Sequence, residues 1–368
     1  MNLRFNLMKI RVLVLCMVAS SLLFSCKKDD VNDPPIFVEP ETVGFYVCCE
    51  GGWNQNNGSL FYYDMENGQS YKNYFETQNL RGLGDTPNDM KIYGSKVYCV
   101  VSGSNIVEVI NASNAVSIRQ ISLTADDGNG RQPRQIAFHR DKAYVCCFDG
   151  TVVRIDTATL AVDAIVTCGR NPDGICVANG KLYVSNSGGL DFGNPDNTVS
   201  VVDIESFTEI KRITVVANPG KIIADSEGDL YLISRGDYMT IPSAFQRING
   251  KTDEVQVFEH LAPANFTISG SMAYLYDYDY VTGASWFKVF DCKMKQVVNE
   301  SFISDGTVIV APYSINVNPL NGNVYITDAH DFFSVQGDIY CFNKEGQQKF
   351  KIENIGLNPN ATVFLSKE

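Results

Sequence analysis

The sequence predicts an all-β fold, a seven-bladed β-propeller that is closed by the C-terminal strand completing the first blade. Three repeated markers predict this fold: a proline, a tyrosine after an apolar residue, and an aspartate or asparagine, each occurring seven times in the 368-residue chain. A repeat period of about 40–50 residues is typical of a propeller or a solenoid. The sequence has no long helical period, which disfavours helix-rich folds.

The prolines mark the start of each repeat. Seven of the thirteen prolines recur with separations of 39–49 residues. They are Pro87, Pro133, Pro172, Pro219, Pro263, Pro312 and Pro359. Proline has no backbone N–H, so it suits the first position of a strand, where no ladder donor is needed. We therefore expect each proline to begin the first strand of a blade.

The tyrosine predicts the second strand of each blade, and the Asp or Asn predicts the turn after the third strand. The tyrosine pairs are Phe45-Tyr46, Val97-Tyr98, Ala143-Tyr144, Leu182-Tyr183, Leu230-Tyr231, Ala273-Tyr274 and Val324-Tyr325. The turn residues are Asp64, Asn111, Asp156, Asp203, Asn249, Asp291 and Asn343. Asp and Asn side chains favour turns because they accept hydrogen bonds from nearby backbone N–H groups. A fourth strand rich in β-branched residues, such as 209–215, completes each unit.

The two ends of the chain predict how the ring closes. The first repeat lacks a preceding proline strand, whereas residues 359–365 form a proline strand with no blade of its own. We expect this last strand to complete the first blade and to cover its open edge. The predicted propeller spans 43–368, with blades at 43–77 plus 357–366, 86–123, 132–168, 171–215, 218–258, 262–300 and 311–353.

The N-terminus predicts export and lipidation. Residues 12–24 are apolar and follow Lys9 and Arg11, a layout typical of a secretory signal and too short for a membrane span. Residues 23–26 resemble the bacterial lipobox, so we predict a signal peptide over 1–25, a lipidated Cys26 and a charged, proline-rich tether over 26–42. The alternative is an ordinary cleaved signal followed by a chance cysteine.

A short acidic segment predicts the final location. Residues 28–30 (Lys-Asp-Asp) resemble the sorting signal of Bacteroidetes surface lipoproteins. This resemblance implies a protein that is lipid-anchored in the outer membrane and exposed at the cell surface.

Composition and charge disfavour several classes of protein. Hydrophobic residues make up 45% of the chain and charged residues 20%, which favours a large folded core over disorder. The net charge is −12, and the three basic residues among the first 25 leave −15 on the remainder. Such a charge repels phosphate backbones and anionic headgroups. We therefore expect no nucleic-acid partner, and membrane contact only through the lipid anchor.

The long loops predict a binding face. In a four-stranded blade, the loop between the second and third strands lies at the same end as the loop to the next blade. The long loops fall at these positions, at 50–58, 78–86, 124–132, 186–198, 234–244, 277–285 and 328–337. Their aromatic residues, glycines and amides are typical of a recognition surface. The candidate ligand-binding residues are Trp53, Asn54, Arg81, Phe192, Tyr238, Tyr278, Tyr280, His330 and Phe332, with Met239 and Phe333 beside them. The alternative for each ring is that it folds back to fill its own loop.

The sequence nominates no catalytic residues, and we predict that the protein is not an enzyme. It contains no recognisable Ser-His-Asp arrangement or phosphate-binding glycine loop, although propeller enzymes can gather residues from separate blades. Nine cysteines follow Cys26 without a Cys-x-x-Cys pair, and an odd number cannot pair completely, so we expect mostly buried thiols.

Metal sites are weakly indicated. His330 is the one candidate metal ligand among three histidines, and surface hydrogen bonding is the alternative for it. Asp191, Asn194, Asp196 and Asn197 could supply oxygen ligands to Ca²⁺, and an ordinary turn is the alternative for them. No metal site is otherwise predicted.

Several segments resemble a known family. Residues 83–90 (LGDTPNDM) and 318–329 (NPLNGNVYITDA), with the lipoprotein start at Cys26, resemble the DUF5074 and BtuG-type surface propellers of Bacteroidetes. The repeats also resemble YncE-like propellers. The resemblance covers the chain from about residue 43 and lies in blade-building residues. It implies cobalamin as a ligand and docking on a TonB-dependent outer-membrane transporter, with no ligand contact matched residue by residue.

The leading hypothesis is a non-catalytic cell-surface binding protein that captures a bulky nutrient and passes it to that transporter. Cobalamin or another corrinoid is the first choice of ligand, and no cofactor is otherwise predicted. One alternative is a glycan- or protein-binding module of a surface assembly. Another is a propeller enzyme of the lactonase or quinoprotein type.

Overall fold

Seven four-stranded antiparallel sheets make up the part of the chain that the structure describes. The computed structural model describes residues 40–367, and the predicted signal peptide, Cys26 and nearly all of the predicted tether lie outside this range. The sheets form the blades of a propeller, so the predicted fold class is confirmed. Within residues 40–367, no helix has the length and hydropathy needed to cross a bilayer.

The first four blades each run from an innermost strand at the centre of the ring to an outermost strand. Blade 1 contains β28 (Pro359–Lys367), β1 (Glu41–Cys49), β2 (Ser59–Asp64) and β3 (Gln69–Tyr71). Blade 2 contains β4 (Pro87–Tyr93), β5 (Lys96–Val101), β6 (Ile106–Asn111) and β7 (Ser117–Ser122). Blade 3 contains β8 (Pro133–His139), β9 (Lys142–Cys147), β10 (Thr151–Asp156) and β11 (Ala161–Thr167). Blade 4 contains β12 (Pro172–Ala178), β13 (Lys181–Asn186), β14 (Thr198–Asp203) and β15 (Thr208–Thr214).

The remaining blades follow the same order. Blade 5 contains β16 (Pro219–Ala224), β17 (Leu230–Ser234), β18 (Ala244–Ile248) and β19 (Val255–Phe258). Blade 6 contains β20 (Asn265–Ser269), β21 (Met272–Tyr278), β22 (Ser285–Asp291) and β23 (Gln296–Asn299). Blade 7 contains β24 (Pro312–Val317), β25 (Val324–Asp328), β26 (Gly337–Phe342) and β27 (Gln348–Gly356). A short helix, α1 (Tyr74–Asn79), lies between blades 1 and 2.

The repeat prolines begin the inner strands, as the sequence predicts. In six blades the inner strand starts at the proline itself, and in blade 6 it starts at Asn265, two residues after Pro263. The first strand of the chain starts at Glu41, two residues before the predicted boundary. The proline therefore sets the place where each blade enters the centre of the ring.

The repeat tyrosines lie between neighbouring blades. Six of the seven are fully buried, and Tyr274 is half-buried. The Tyr46 hydroxyl donates a hydrogen bond to the carbonyl oxygen of Ala112 at 3.0 Å, and the Tyr231 hydroxyl donates one to the carbonyl oxygen of Cys292 at 2.8 Å. Each acceptor lies in the outer turn of the next blade, so these tyrosines link consecutive sheets.

The repeat Asp and Asn residues cap the turns after the third strands. All seven side chains accept a hydrogen bond from a backbone N–H two or three residues further on. Asp156 Oδ1, for example, accepts from Ala158 at 3.1 Å and from Thr159 at 2.7 Å. Each turn is therefore fixed by its own side chain, which sets the register of the outer hairpin.

Both faces of each sheet are buried against a neighbouring blade, which explains the cysteines. Adjacent residues of a strand point to opposite faces. Cys48 accordingly packs in the core between blades 1 and 2, and Cys49 packs in the core between blades 1 and 7. All nine cysteines within residues 40–367 are buried and unpaired, in agreement with the expectation of buried thiols.

The C-terminal strand closes the ring. β28 pairs antiparallel with β1, with Phe364 opposite Phe45 and Val363 opposite Tyr46. Its Val363 and Leu365 pack into the core between blades 1 and 2. The inner strands contact each other in order around the ring, and the last contacts are β24 with β28 and β28 with β4.

Deletion of residues 357–368 should abolish soluble, protease-resistant protein. The deletion removes the inner strand of blade 1 and leaves the edge of β1 unpaired. Limited proteolysis and thermal unfolding of the truncated and full chains measure the effect. An unchanged melting temperature would refute closure by β28.

A matched pair of point variants distinguishes the stabilising effect of ring closure from the general effect of truncating the chain. Leu365→Ala removes a side chain buried in the closing core and should lower the free energy of unfolding by about 2–5 kcal/mol. Ser366→Ala changes the next, exposed residue and should alter it by less than about 0.5 kcal/mol. Urea unfolding of both variants checks the difference, and similar values for the two would contradict the packing role of β28.

Candidate ligand-binding mouth of the central cavity

A cavity of about 760 Å³ lies inside the ring of inner strands. Its wall is formed mainly by the inner strands of the blades. Further lining residues come from the ends of the second strands and the loops after them, namely Glu50, Trp53, Arg235, Tyr278 and Tyr280. These loops lie at the same end as the inter-blade loops, and we call this end the mouth face.

A β-bulge follows the repeat proline in six of the inner strands. At each bulge the residue after the proline has no partner on the neighbouring strand. Together with the equivalent Ala264 of blade 6, these residues form what we call the mouth ring: Asn88, Arg134, Asp173, Gly220, Ala264, Tyr313 and Asn360. All seven line the cavity. Because a bulge re-aims a side chain, the repeat places one residue from every blade at the mouth.

Glu50 joins part of the mouth ring into a hydrogen-bonded arc. Its carboxylate accepts hydrogen bonds from the Tyr313 hydroxyl at 2.6 Å and from Asn360 Nδ2 at 2.5 Å. Asn88 Nδ2 lies 3.4 Å from the same carboxylate. Burial raises the pKa of Glu50, and the donors from Tyr313 and Asn360 oppose this effect. The shared carboxylate therefore holds three mouth-ring side chains in fixed positions.

Arg134 extends the arc to Asp173. Its Nε donates to Asp173 Oδ1 at 2.9 Å, and its Nη1 donates to Asn88 Oδ1 at 2.7 Å. The guanidinium carbon lies 4.4 Å from the centre of the Phe148 ring. Burial alone would raise the pKa of Asp173, but Arg134 and Arg235 outweigh burial and lower it. Asp173 is therefore an ionised partner of Arg134 at neutral pH.

The opposite part of the mouth ring is open. Gly220 and Ala264 occupy neighbouring positions and carry little or no side chain. The residues that follow them, Lys221 and Asn265, line the cavity behind this gap. Arg235, which follows β17, lines the cavity from the same blade as Lys221 and is exposed to solvent. The mouth is thus asymmetric, with a rigid polar arc on one side and an open sector on the other.

Three of the predicted aromatic residues form one cluster at the mouth. The ring centroids are 5.0 Å apart for Tyr278 and Tyr280, 5.6 Å for Tyr278 and Phe332, and 5.4 Å for Tyr280 and Phe332. Phe332 also lies 5.9 Å from Tyr313 of the mouth ring. Tyr280 remains 75% exposed. The loops of blades 6 and 7 therefore form a shared aromatic wall with a free face.

A second predicted aromatic pair lies on blades 4 and 5. The rings of Phe192 and Tyr238 stack with centroids 6.4 Å apart, and both side chains are exposed. They line a smaller pocket of about 110 Å³. Arg134, Asp173 and Arg235 line both this pocket and the central cavity. The two spaces are thus separated by a wall of charged side chains.

Trp53 completes the aromatic rim from blade 1. It lines the central cavity and is 65% exposed. The neighbouring Asn54 is exposed in a left-handed turn conformation and does not line the cavity. Among residues 40–367, six aromatic side chains are exposed, and all but Tyr71 lie on the mouth face: Trp53, Phe192, Tyr238, Tyr280 and Phe333.

Two predicted site residues are engaged elsewhere. Arg81 Nη2 donates to Glu108 Oε1 at 2.8 Å and to Ser117 Oγ at 3.0 Å, on the outer strands of blade 2. His330 Nε2 lies 3.0 Å from Asp338 Oδ2, which also contacts Lys351. Neither residue lines the central cavity. These contacts favour structural roles for both side chains.

The candidate Ca²⁺ ligands are hydrogen-bonded to protein groups in their loop. Asp191 Oδ2 accepts hydrogen bonds from Arg170 Nη1 at 3.0 Å and from Asn194 Nδ2 at 2.9 Å. Asp196 Oδ1 accepts the Asn197 N–H at 2.6 Å. In the described part of the chain, no group of three or more His, Cys, Asp or Glu side chains is placed to hold a metal ion.

Sequence reasoning missed the polar residues of the mouth. These are Glu50, Arg134, Asp173, Lys221 and Arg235. For Arg134 and Asp173 the available signal was their place directly after a repeat proline, a position that varies strongly in charge and size along the chain. Regular strand alternation gives no reason to place this residue in the cavity, because the bulge is what directs it there.

Asp173→Ala should lower the free energy of unfolding by about 3 kcal/mol, because it leaves Arg134 without its largely buried partner. The difference from wild type should shrink in acid. The pKa of Asp173 is lowered in the folded state, so its contribution is present above the unfolded-state pKa and is lost as the carboxylate protonates. Urea unfolding at neutral and acidic pH measures both effects.

The control is Asp141→Ala. Asp141 is 70% exposed and lies 3.6 Å from Lys142, so its loss should cost less than about 0.5 kcal/mol at neutral pH. Equal losses for the two variants would contradict a structural role for the Arg134–Asp173 pair at the mouth.

Several solved structures share this architecture. Kuenenia stuttgartiensis hydrazine synthase is 15% identical, with 70% of this chain and 77% of that chain covered at a TM-score of 0.58. The computationally designed Ika8 protein is 13% identical, with 86% and 90% covered at a TM-score of 0.55. U3-55K is 11% identical, with 77% and 86% covered at a TM-score of 0.58. At these identities the similarity shows the fold alone.

Sequence comparison assigns the family. No curated protein matches the sequence. The family described as "Domain of unknown function (DUF5074)" matches residues 43–365, which is nearly the whole described propeller. The chain therefore belongs to the DUF5074 family.

Proposed function

We propose that the protein is a non-catalytic binding protein that captures a bulky ligand at the mouth of the central cavity. The observation that carries this proposal is the concentration of exposed aromatic side chains on the mouth face, around a cavity of about 760 Å³. Ligand sites are typically cavities of about 300–1,000 Å³ with aromatic walls and a few convergent polar groups. The mouth supplies both: the cluster of Tyr278, Tyr280 and Phe332, and the arc held by Glu50.

Cobalamin or another corrinoid is the first choice of ligand. This choice rests on the resemblance of residues 83–90 and 318–329 to BtuG-type propellers. Cobalamin is a large disc with apolar edges and amide groups at its rim. Aromatic faces such as those of Trp53 and Tyr280 suit the edges, and Asn and Tyr side chains of the mouth ring suit the amides.

We further propose that the ligand passes to a TonB-dependent transporter in the outer membrane. The predicted lipid anchor at Cys26 would hold the propeller at the cell surface. Exposed apolar residues extend beyond the cavity on the mouth face, among them Leu190, Met239, Val281 and Phe333. Apolar surface of this kind is typical of a face that a partner protein covers.

A second candidate is a glycan-binding module of a surface assembly. The exposed Trp53 and Tyr280 rings favour it, because flat aromatic faces offer stacking surfaces to sugar rings as well as to corrinoids. Oligosaccharide binding that depends on Tyr280, with no response to cobalamin, would support this candidate in place of the first.

Titration of the full-length protein in mild detergent with cyanocobalamin tests the first proposal. We expect saturable heat and a change in visible absorbance at micromolar or lower concentrations. Tyr280→Ala should weaken binding about tenfold or more, because it removes an exposed aromatic face of the mouth. No heat and no absorbance change for the wild type would remove cobalamin as the ligand.

The matched control is Tyr71→Ala. Tyr71 is the one exposed aromatic residue of the described chain that lies away from the mouth face. Its loss should leave the affinity unchanged, even if packing against Tyr62 is reduced. Equal weakening by the two variants would show that the mouth is not the binding site.

Cys26→Ser should release the protein from the membrane fraction, because no acyl chain can be attached to serine at this position. Cys16→Ser changes a cysteine of the predicted signal peptide and should leave anchoring intact. Fractionation, acyl-chain labelling and protease treatment of intact cells measure anchoring and surface exposure. Membrane retention of the Cys26→Ser variant would contradict the lipid anchor.

A further inference from the structure

Lys221 occupies an exceptional position in the ring of inner strands. In blade 5 Gly220 and Lys221 both lack a ladder partner and lie opposite the unpaired Ile233, because pairing resumes only with Ile222 opposite Leu232. The other bulges after the repeat prolines in the described chain leave one residue unpaired. Lys221 lines the cavity, as do Asp89, Gln135 and Ser314, which also lie two residues after their repeat prolines; among these, Lys221 is the one positively charged residue.

The Lys221 ammonium has more donors than partners. Its Nζ donates to Asn265 Oδ1 at 2.9 Å, and this is its one hydrogen bond within residues 40–367. An ammonium group carries three N–H donors. The nearest aromatic contact is the Phe266 ring, whose centre lies 6.0 Å from Nζ. Two donors are therefore left for a group that enters the cavity.

The nearby carboxylate does not neutralise Lys221. Asp89 Oδ1 accepts the Met90 N–H at 2.9 Å, and its Oδ2 accepts the Ile136 N–H at 3.0 Å. The same Oδ2 lies 3.6 Å from Lys91 Nζ. Lys91 is a second positive charge that acts on Lys221. This part of the cavity thus holds two ammonium groups and one carboxylate.

The open sector of the mouth gives access to this excess charge. Gly220 and Ala264 leave the ring uncovered in front of Lys221 and Asn265. Arg235 adds a guanidinium to the wall of the same cavity. An anion that enters here passes Arg235 and reaches Lys221 without displacing an internal ion pair.

We propose that Lys221, positioned by Asn265 and assisted by Lys91, is an anion subsite that receives a carboxylate or a phosphate of the captured ligand. The inference rests on the proposed binding function and adds the chemical class of the ligand. An acidic oxygen would accept the two remaining N–H donors of Lys221. It would also balance the excess positive charge, which a buried ammonium requires.

The subsite should depend on pH in a defined direction. The pKa of Lys221 is lowered to about 8, mainly by burial; Asp89 opposes this effect and Lys91 adds to it. The charged form is therefore dominant at neutral pH and is lost as the pH rises through about 8. Anion binding should be strongest below this value and weaken above it.

Pyridoxal 5′-phosphate tests the subsite directly, because it joins a phosphate to an aldehyde that reacts with amines. The Lys221 amine adds to the aldehyde and releases water, and borohydride then reduces the imine to a stable secondary amine. With limiting reagent and the full-length protein, peptide mapping should find Lys221 labelled ahead of exposed lysines such as Lys344. Inorganic phosphate or acetate should slow labelling of Lys221 severalfold and leave Lys344 unaffected.

The competing anion identifies the ligand group. Protection by phosphate alone assigns a phosphate, and protection by acetate alone assigns a carboxylate. Labelling spread evenly over the lysines, or labelling of Lys221 that neither anion slows, would overturn the proposal. This measurement uses the wild-type protein, so it tests the anion subsite even where a variant fails to fold.

Variants give an independent readout. Phosphate or acetate, whichever protects, should raise the melting temperature of the wild type and of Lys221→Arg, which keeps the charge. It should not raise that of Lys221→Met. Lys344→Met, on the opposite face, is the matched control and should respond as the wild type does. Equal stabilisation of Lys221→Met and the wild type would overturn the subsite.

These outcomes are separable from those of the cobalamin titration. If anions protect Lys221 from labelling but the protein does not bind cobalamin, the anion subsite is supported and the corrinoid is excluded as the ligand. If Lys221→Met leaves cobalamin binding unchanged and anions do not protect Lys221, the proposed capture of cobalamin is supported and the anion subsite is excluded.

Discussion

The pairing of β28 with β1 is the constraint on which the rest of the structure depends. Each blade buries both of its faces against neighbours, so an incomplete blade leaves two cores open. β28 supplies the inner strand of blade 1 and places Val363 and Leu365 in the core shared with blade 2. Only when this link is made are seven inner strands held around one cavity. The mouth, its polar arc and its aromatic rim are all consequences of that closure.

The bulge after the repeat proline connects the scaffold to the site. The proline ends the inter-blade loop and starts the strand, and the next residue leaves the ladder and faces the cavity. Asn88, Arg134 and Asp173 occupy this position in three consecutive blades, and Arg134 donates hydrogen bonds to the other two. Glu50 extends the same network from the end of β1. The mouth is therefore organised by an irregularity that every blade except blade 6 repeats in its ladder.

The sequence predicted what depends on local chemistry. Prolines, buried tyrosines and capped turns recur once in every blade, so their spacing revealed seven blades and the closing strand. Strand order within a blade determines which end of the propeller carries the long loops. Tyr278, Tyr280 and Phe332 lie in such loops, and their rings accordingly contact one another. The contacts of individual loop and bulge side chains were not predictable in this way. Arg81 pairs with the buried Glu108, His330 contacts Asp338, and the bulges turned unremarked residues toward the cavity.

The unpaired state of the mouth-ring residues has a consequence for how such proteins diversify. Ladder positions must satisfy strand pairing and packing on both faces, whereas a bulged residue makes no ladder contact with its neighbouring strand. Substitution there can alter size, charge or hydrogen bonding at the opening while the sheets keep their registers. Six such positions, one from each blade except blade 6, can be varied in combination on an unchanged scaffold. Related chains could therefore acquire different ligands through a handful of replacements, without rebuilding the propeller.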